Sequence, residues 1–526
     1  MRSFLFGFAA LALAVPAQAE WYRASSEHFL IYSEQKPDTL RQFAENLEKF
    51  DGAVRAVRRM DDLPLSQGNR VTIFVLRDAA DVQRLINDKT GFIAGFYKGR
   101  ASGSVAFVSR GAPSNAHREA PIGSNIRVQN ANTNFAGIII LLHEYSHHLM
   151  MQDLAVPYPE WFVEGFAEFM STAQFEKDGA VGLGLPAGHR YFGLVNGDSL
   201  PLETLLSGRY DKITAEQRES IYGRGWLLTH YLTFEPSRKG QLANYLKALA
   251  HGADPLDSAR QTFGDLKKLE RDLGAYLNRS TLQYVKVSGS ALNFAPIEVA
   301  PLSAGASTVV PLLIEVKNGA PANAAEALAQ KVRGVEARYP GDELVETTLA
   351  EAELDANHAE AAEAAADRVA KINPRNTDAL VLKGRAAAAR AAKLQGTARA
   401  ALFEEARKTF IAANKIDAED PEPLMEFYEA YVRQGIQPTA NAIAALHYAS
   451  DLAPQDLGLR MNSALAYLAE DKSAQARQAL IPIAYDPHGQ QFAKIARQMM
   501  VRIDAGDVKG ALAVAEAGAK AEPSSP

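Results

Sequence analysis

The alternation of apolar and polar residues divides the chain into a first part with strand and helix patterns and a second part with helix patterns alone. Three short apolar runs are typical of strands, at 28–32, 71–76 and 103–108. Two longer stretches carry apolar residues at helical spacing, at 40–57 and 78–86. From about residue 321 the sequence is rich in alanine, with apolar positions spaced as in paired amphipathic helices. These patterns predict an α+β protein in which a mixed α/β and helical N-terminal part is followed by an all-α domain.

The predicted all-α domain contains turns at nearly regular intervals. Residues typical of turns recur after successive predicted helices, at 339–342, 373–376, 417–420, 453–456 and 486–488. From Pro340, the steps to Pro374, Ala418, Pro454 and Pro487 are 34, 44, 36 and 33 residues. A helix pair of about 34 residues is the period of tetratricopeptide repeats, which residues 321–526 resemble, although a plain helical bundle is an alternative. Stacked repeats form a concave surface, so a protein partner is expected there.

A pentapeptide in the first part has the pattern of a metal-binding helix. His143 and His147 flank Glu144 in an H-E-x-x-H motif, after the apolar run 135–142. Four residues apart on a helix, the two imidazoles share one face and can chelate one ion, while Glu144 lies beside that ion and can act on a bound water. His148 points elsewhere on the helix and is expected not to bind the ion. The alternative is a core helix with two hydrogen-bonded histidines.

A second predicted helix, beginning near Pro159, supplies the carboxylates. Catalytic zinc usually keeps three protein ligands, and Glu164, 17 residues after His147, is the candidate third ligand. Glu168, one turn later, is a candidate partner for the free ring N–H of a ligating histidine. Gly165 predicts a close approach of this helix to the H-E-x-x-H helix. The alternative is a solvated acidic face, but carboxylates gathered in a partly buried site repel one another unless a cation is present.

Together the two segments resemble the gluzincin metallopeptidases, especially the peptidase MA-like families, over roughly residues 20–285. Residues 161–167 are also similar to the W-x-x-E-G-x-A segment of the aminopeptidase N type. The resemblance implies that His143, His147 and Glu164 bind Zn²⁺ and that Glu144 is the general base. Upstream there is no G-x-M-E-N-type exopeptidase segment, so aminopeptidase activity is not supported.

The same resemblance suggests two further features. Some gluzincins place an oxyanion-stabilising tyrosine at about the position of Tyr222, for which Arg224 and His230 are weaker alternatives. Tyr222 and Tyr231 are otherwise ordinary packing residues of an amphipathic helix. In gluzincins an edge strand beside the active-site helix pairs with the substrate backbone, and 104–109 is the candidate here, with an ordinary sheet strand as the alternative. The polar residues 111–133 are expected to form a loop that borders the cleft.

The N-terminus and the composition indicate where the protein acts. A basic Arg2, an apolar run at 4–15 and an A-x-A-like end predict a signal peptide cleaved after Ala19, because the run is too short for a comfortable membrane anchor. No later stretch has transmembrane length. The chain contains no cysteine, which excludes disulfides and thiolate metal sites and fits a bacterial periplasm or exterior. With a formal charge of −6 and no basic block, no nucleic-acid partner is expected.

These observations predict five regions and one leading function. The regions are a signal peptide, an α/β part of the catalytic core, a helical zinc-binding part, a linker or small strand-bearing connector, and helical repeats, at 1–19, 20–110, 111–285, 286–320 and 321–526. The leading hypothesis is a secreted zinc-dependent metallopeptidase that hydrolyses a peptide or protein substrate. The alternatives are a catalytically idle periplasmic scaffold that binds protein partners, and a zinc hydrolase that acts on a non-peptide amide.

Overall fold

A computed structural model describes most of the chain from the predicted mature start onward. The described residues are 20–62, 65–89, 93–110, 137–152, 157–190, 194, 199–210 and 212–521. The predicted signal peptide and the predicted cleft loop at 111–133 lie outside them. Within these ranges the chain forms 21 α-helices and nine strands, as expected for an α/β N-terminal part joined to a helical domain.

Six strands form the main sheet, and a smaller sheet has three. The strands are β1 Tyr22–Ser25, β2 Phe29–Ser33, β3 Val71–Leu76, β4 Gly95–Lys98, β5 Val105–Ser109, β6 Gln174–Phe175, β7 Val181–Leu183, β8 Val285–Val287 and β9 Glu298–Pro301. The main sheet has the order β4-β5-β3-β2-β1-β9, and the small sheet is β6-β7-β8. In the main sheet β2, β3 and β5 are parallel, and the other pairings are antiparallel.

The predicted edge strand at 104–109 is in fact internal, so that prediction was wrong. β5 is paired with β3 on one side and with β4 on the other. All five of its residues are buried, which is typical of a strand with neighbours on both sides and on both faces. β4 forms the edge instead, and a β-carbon added to Gly95 would lie 3.4 Å from Ile140 on the H-E-x-x-H helix. The edge of the sheet therefore runs beside that helix.

In the described residues of the N-terminal part, nine helices accompany these strands. They are α1 Pro37–Arg58, α2 Ala79–Leu85, α3 Ile138–Gln152, α4 Glu160–Ser171, α5 Leu202–Ser207, α6 Ala215–Phe234, α7 Gln241–Ala250, α8 Pro255–Phe263 and α9 Leu266–Leu277. Apolar residues of α1, α3, α4 and α6 join those of β2, β3 and β5 in one hydrophobic cluster. The H-E-x-x-H helix and the second carboxylate-bearing helix are thus α3 and α4.

The segment 286–320 bears a strand, as the connector alternative expects, but it also contains a helix that was not predicted. Its strand β9 pairs with β1 in the main sheet, with Tyr22 opposite Pro301, and residues Ala304–Asn318 form helix α10. The apolar run at 309–316 is the buried face of α10, which packs against the following helices. The helical array therefore begins near residue 304, earlier than the composition suggests.

Twelve helices make up the array, in successive pairs. After α10 they are α11 Ala322–Glu336, α12 Glu343–Asp355, α13 Ala359–Ile372, α14 Thr377–Ala392, α15 Gly396–Ile416, α16 Pro421–Gln434, α17 Ala440–Leu452, α18 Leu457–Ala469, α19 Ser473–Ala484, α20 Gln490–Asp504 and α21 Val508–Ala521. The five predicted turns each follow the second helix of a pair. The long step of the repeat reflects α15, which has 21 residues.

The array packs onto the N-terminal part and shares its core. Apolar residues of α18 to α21 belong to the same hydrophobic cluster as those of α3, α4 and α6. Hydrogen bonds also cross between the two parts: Ala101 N–H donates to Asp456 Oδ2 (2.8 Å), and Gln455 Nε2 donates to Ser104 Oγ (3.1 Å). In the described ranges, none of the helices has the length and apolar character needed to cross a membrane.

Candidate metal centre

Helices α3 and α4 bring the three predicted ligands together. Nε2 of His143 lies 3.1 Å from Nε2 of His147 and 3.2 Å from Oε2 of Glu164. The third separation, between His147 Nε2 and Glu164 Oε2, is 3.5 Å. All three side chains are buried, because α3 and α4 pack against each other with these residues on their facing sides.

The distances among these atoms fit a tetrahedral ion. Ligand atoms about 2.0–2.1 Å from a tetrahedral zinc are about 3.3 Å from one another, close to the three observed separations. Two imidazole nitrogens and one carboxylate oxygen are also a ligand set of catalytic zinc. Although the imidazoles are near, neither oxygen of Glu164 receives a well-aligned hydrogen bond within the described structure. A buried carboxylate without donors is costly, and a cation at this point removes the cost.

The electrostatics of the cluster also favour a cation. Burial lowers the pKa of His143, but the neighbouring carboxylates of Glu164 and Glu168 outweigh it and raise that pKa to about 10. Conversely, burial raises the pKa of Glu164, yet the two imidazoles hold it well below its ordinary value. The two carboxylates therefore stabilise a positive charge beside them, whether it is a proton on His143 or a bound cation.

Glu168 lies behind the first ligand, where the sequence places it. Its Oε1 is 3.1 Å from Nδ1 of His143, the ring nitrogen that faces away from the other ligands. His189 Nε2 approaches Oε2 of Glu168 at 2.7 Å, and Arg190 donates to Oε1 from Nη2 at 2.6 Å. Burial raises the pKa of Glu168, but Arg190, His189 and His143 outweigh it and hold that pKa well below its ordinary value, so this carboxylate is ionised. Its contact with Nδ1 of His143 has the distance of an ion pair but lacks the alignment of a hydrogen bond.

His189 and Arg190 were not predicted from the sequence. They lie in a short 3₁₀ turn at Gly188–Arg190 and belong to no motif. The one available signal was indirect: a buried carboxylate such as Glu168 requires cationic or hydrogen-bonding partners. Which residues become the partners of Glu168 depends on how the chain after β7 packs against α4, and no local sequence pattern indicates this packing.

Glu144 is half-buried and faces the space beside the ligands. Burial is the main reason why the pKa values of Tyr97 and Tyr222 are raised, and the charge of Glu144 adds to both. The carboxylate of Glu144 is therefore close enough to act on both Tyr97 on β4 and Tyr222 on α6.

The structure brings Tyr222 to the ligands but not its two alternatives. The ring centroid of Tyr222 is 6.0 Å from that of His143, and the guanidinium of Arg190 lies 4.6 Å above the tyrosine ring. Arg224 instead forms an ion pair with Glu270 at 2.6 Å. His230 is fully buried and is hydrogen-bonded to Tyr276 and to the carbonyls of Gly184 and Gln283.

A pair of glycines sets the position of α6, and this corrects the role predicted for Gly165. A β-carbon at Gly165 would lie 2.3 Å from the carbonyl group of Gly225, and one at Gly225 would lie 2.4 Å from the carbonyl oxygen of Trp161. Gly165 therefore permits a close crossing of α4 with α6, rather than with α3. Because Tyr222 lies one turn before Gly225, this crossing places Tyr222 near the ligands.

His148 is held away from the cluster, as expected for a residue that does not bind the ion. Its Nδ1 is 2.7 Å from the hydroxyl of Tyr97, and its ring stacks on Tyr145 at 5.3 Å. Burial lowers the pKa of His148 to about 3, so the ring is neutral. The contact with Tyr97 fixes α3 against the edge strand.

Comparisons with known proteins leave the family of this chain open. No protein-family model and no curated protein matches it. Among solved structures, it is similar to a thermophilic TPR protein from Thermus thermophilus, at 16% sequence identity and a TM-score of 0.29. That match covers 33% of this chain and 89% of the other.

Proposed function

We propose that this protein is a zinc-dependent peptidase whose ligands are His143, His147 and Glu164. One observation carries the proposal: two imidazole nitrogens and a carboxylate oxygen converge in a buried site at the separations expected of tetrahedral zinc ligands. The signal-like N-terminus and the absence of cysteine support a periplasmic or secreted location. The helical array is the proposed surface for a protein partner.

The chemistry of peptide hydrolysis assigns a role to each residue. Zinc bound here would lower the pKa of a bound water and polarise the scissile carbonyl. Glu144 accepts a proton as the water oxygen attacks the carbonyl carbon, and it passes that proton to the amine as the C–N bond breaks. The hydroxyl of Tyr222 donates a hydrogen bond to the oxygen on which negative charge develops. Glu168 holds the ring of His143 in orientation.

The edge strand β4 is the proposed binding surface for the substrate backbone. Within the described residues β4 has no strand on its outer side, and it lies against α3. An extended peptide that pairs with a free strand edge is bound through its main chain, with little demand on its sequence. Glu144, whose charge acts on both Tyr97 of β4 and Tyr222, would then lie near the bound peptide.

The test compares the parent chain with Glu144→Gln for bound zinc and for hydrolysis of a mixed fluorogenic peptide library. The parent should bind one zinc and cleave peptides, whereas Glu144→Gln should keep the zinc and lose turnover by at least about 100-fold. Glu216→Gln, an exposed position in the first turn of α6, is the matched control and should behave like the parent. Equal turnover of the parent and Glu144→Gln would reject the assigned base.

Two other results would point to the alternatives. A parent chain that binds zinc but cleaves no peptide favours the idle scaffold or a hydrolase of another amide, and a panel of non-peptide amides separates these two. A parent chain that binds no zinc would reject the metal centre.

A further inference from the structure

The candidate metal centre receives a residue from the far end of the helical array. In the turn between α19 and α20, Nε2 of His488 lies 3.4 Å from Oε1 of Glu164. The ring of His488 is also edge-on to that of His147, with centroids 5.9 Å apart. The sequence pattern predicted only a repeat turn at 486–488, and it gave no sign that His488 contacts Glu164 and His147.

The two oxygens of Glu164 face different neighbours. Oε2 faces the imidazoles of His143 and His147, whereas Oε1 faces His488. The group of potential ligand atoms that lie within 4.8 Å of one another contains His143, His147 and Glu164 but not His488. His488 is therefore placed on the outer side of the third ligand, and is not in the position of a fourth.

Several local contacts hold the turn that carries His488. Asp486 Oδ1 accepts a hydrogen bond from the backbone N–H of His488 at 3.0 Å, and Pro487 between them restricts the backbone. A side chain at Gly489 would lie 3.1 Å from the carboxylate of Asp486, so the turn leaves little space there. At the base of the turn, Arg497 donates to the carbonyl of Ala484 at 2.6 Å. The backbone of His488 is thus fixed while its side chain stays 54% exposed.

We propose that His488 is a positioning residue that donates a hydrogen bond to the outer oxygen of Glu164, so that the helical array completes the metal centre. This inference rests on the proposed function, because it assigns zinc to the three ligands. Ligating carboxylates are themselves held by hydrogen bonds, and Oε1 of Glu164 has no other donor among the described residues. The 3.4 Å contact is slightly longer than an ordinary N–H···O hydrogen bond, and it lies between a donor nitrogen and an acceptor oxygen.

The test measures zinc affinity by chelator competition, and the absorption spectrum of the cobalt-substituted protein, in full-length variants. His488→Ala should weaken zinc binding about 10–100-fold, as is typical when an outer partner of a ligand is lost, and should change the cobalt spectrum. His488→Gln keeps an N–H donor and should recover most of the affinity. His251→Ala is the control, since His251 is exposed and bonds only to its own helix.

The outcomes separate this inference from the proposed function. A His488→Ala variant with the zinc affinity and cobalt spectrum of the parent would overturn the role of His488 and leave the metal centre intact. Tighter binding or higher peptidase activity of that variant would also overturn it, because His488 would then obstruct the site. A parent chain without zinc would reject the metal centre itself, and the role of His488 with it.

Discussion

Gly165 on α4 and Gly225 on α6 face each other with no room for a side chain at either position. This contact determines how α6, and hence Tyr222, approaches the three ligands. Other contacts connect the elements around the cluster: Tyr97 and His148 connect β4 to α3, His143 and Glu164 connect α3 to α4, and the two glycines connect α4 to α6. Changes at these contacts should affect the site without altering a ligand.

Gly165→Ala should destabilise the protein, because the added methyl group would lie 2.3 Å from the Gly225 carbonyl and the helices would have to separate. We expect a loss of about 1–3 kcal/mol in the free energy of unfolding, measured with urea, and weaker zinc binding because Glu164 is adjacent. Gly274→Ala on α9 is the control, since a β-carbon there has no neighbour within 4 Å. Equal stability of Gly165→Ala and the parent would refute the close crossing.

Removal of the metal should lower the thermal stability of the protein. An ion that binds only the folded state stabilises it by about 3 kcal/mol at a hundredfold excess over its Kd. Differential scanning calorimetry with and without EDTA should therefore show a lower Tm after chelation, and a return of the original Tm after zinc is added. His147→Ala should show no such difference. A Tm that does not respond to zinc in the parent would contradict a site formed by the folded ligands.

Tyr222→Phe should reduce kcat with little change in KM, because its hydroxyl is assigned to the oxygen that gains charge in the transition state. Loss of one well-placed donor costs about 100-fold or more in rate. Tyr231→Phe, on the same helix but beside Arg238 and Tyr276, is the matched control and should keep the parent kcat. The measurement is steady-state kinetics of both variants and the parent on one cleaved peptide. An unchanged kcat in Tyr222→Phe would show that Tyr222 is a packing residue and not an oxyanion donor.

A buried network around His28 should make stability depend on pH. Burial lowers the pKa of His28, but Glu48 and Asp51 outweigh it and raise the pKa from 6.5 to about 9. Because the folded pKa exceeds the unfolded one, the stabilisation is complete below about pH 6.5 and is lost as the pH rises through 9. The raised pKa of His28 corresponds to about 3 kcal/mol in the free energy of unfolding. This contribution belongs to His28, Glu48 and Asp51 together and is counted once.

Urea unfolding at pH 6.5 and pH 9.5 measures this dependence. The parent should lose stability between the two, and His28→Gln should lose much less. The network also bears on the site, because Asp51 accepts a hydrogen bond from Tyr145 of the H-E-x-x-H segment at 2.8 Å. A parent chain equally stable at both pH values would show that His28 does not carry its charge in the folded state.

The parts of the site that the sequence predicted are those whose geometry is local. His143, Glu144 and His147 have positions fixed by one helical turn, as do Glu164 and Glu168, so spacing alone indicated which side chains share a face. The approach of α4 to α3 was predicted as well, but from Gly165, which in the structure contacts α6 instead. The strand β3 was predicted at the bounds the structure gives, because its apolar run begins and ends sharply at 71 and 76.

What the sequence did not predict depends on contacts between distant segments. His189 and Arg190 reach the site from a turn with no motif, and the repeat pattern that includes His488 gives no sign of its contact with Glu164. β4 is a strand of only four residues. The sequence pointed to a close approach at Gly165, but the partner Gly225 lies 60 residues later on a helix whose packing no local pattern indicates. The pairing of β9 with β1 and the helix at 304–318 likewise depend on distant contacts.

The arrival of His488 at the metal centre has a consequence for how the protein is made. The ribosome adds His143, His147 and Glu164 to the chain more than 300 residues before it reaches His488 in the turn that follows α19. During that interval the nascent chain lacks both His488 and the last helices of the shared core. The cluster of His143, His147 and Glu164 therefore has its full set of neighbours only after synthesis has passed residue 488 and the last helices have packed onto the N-terminal part.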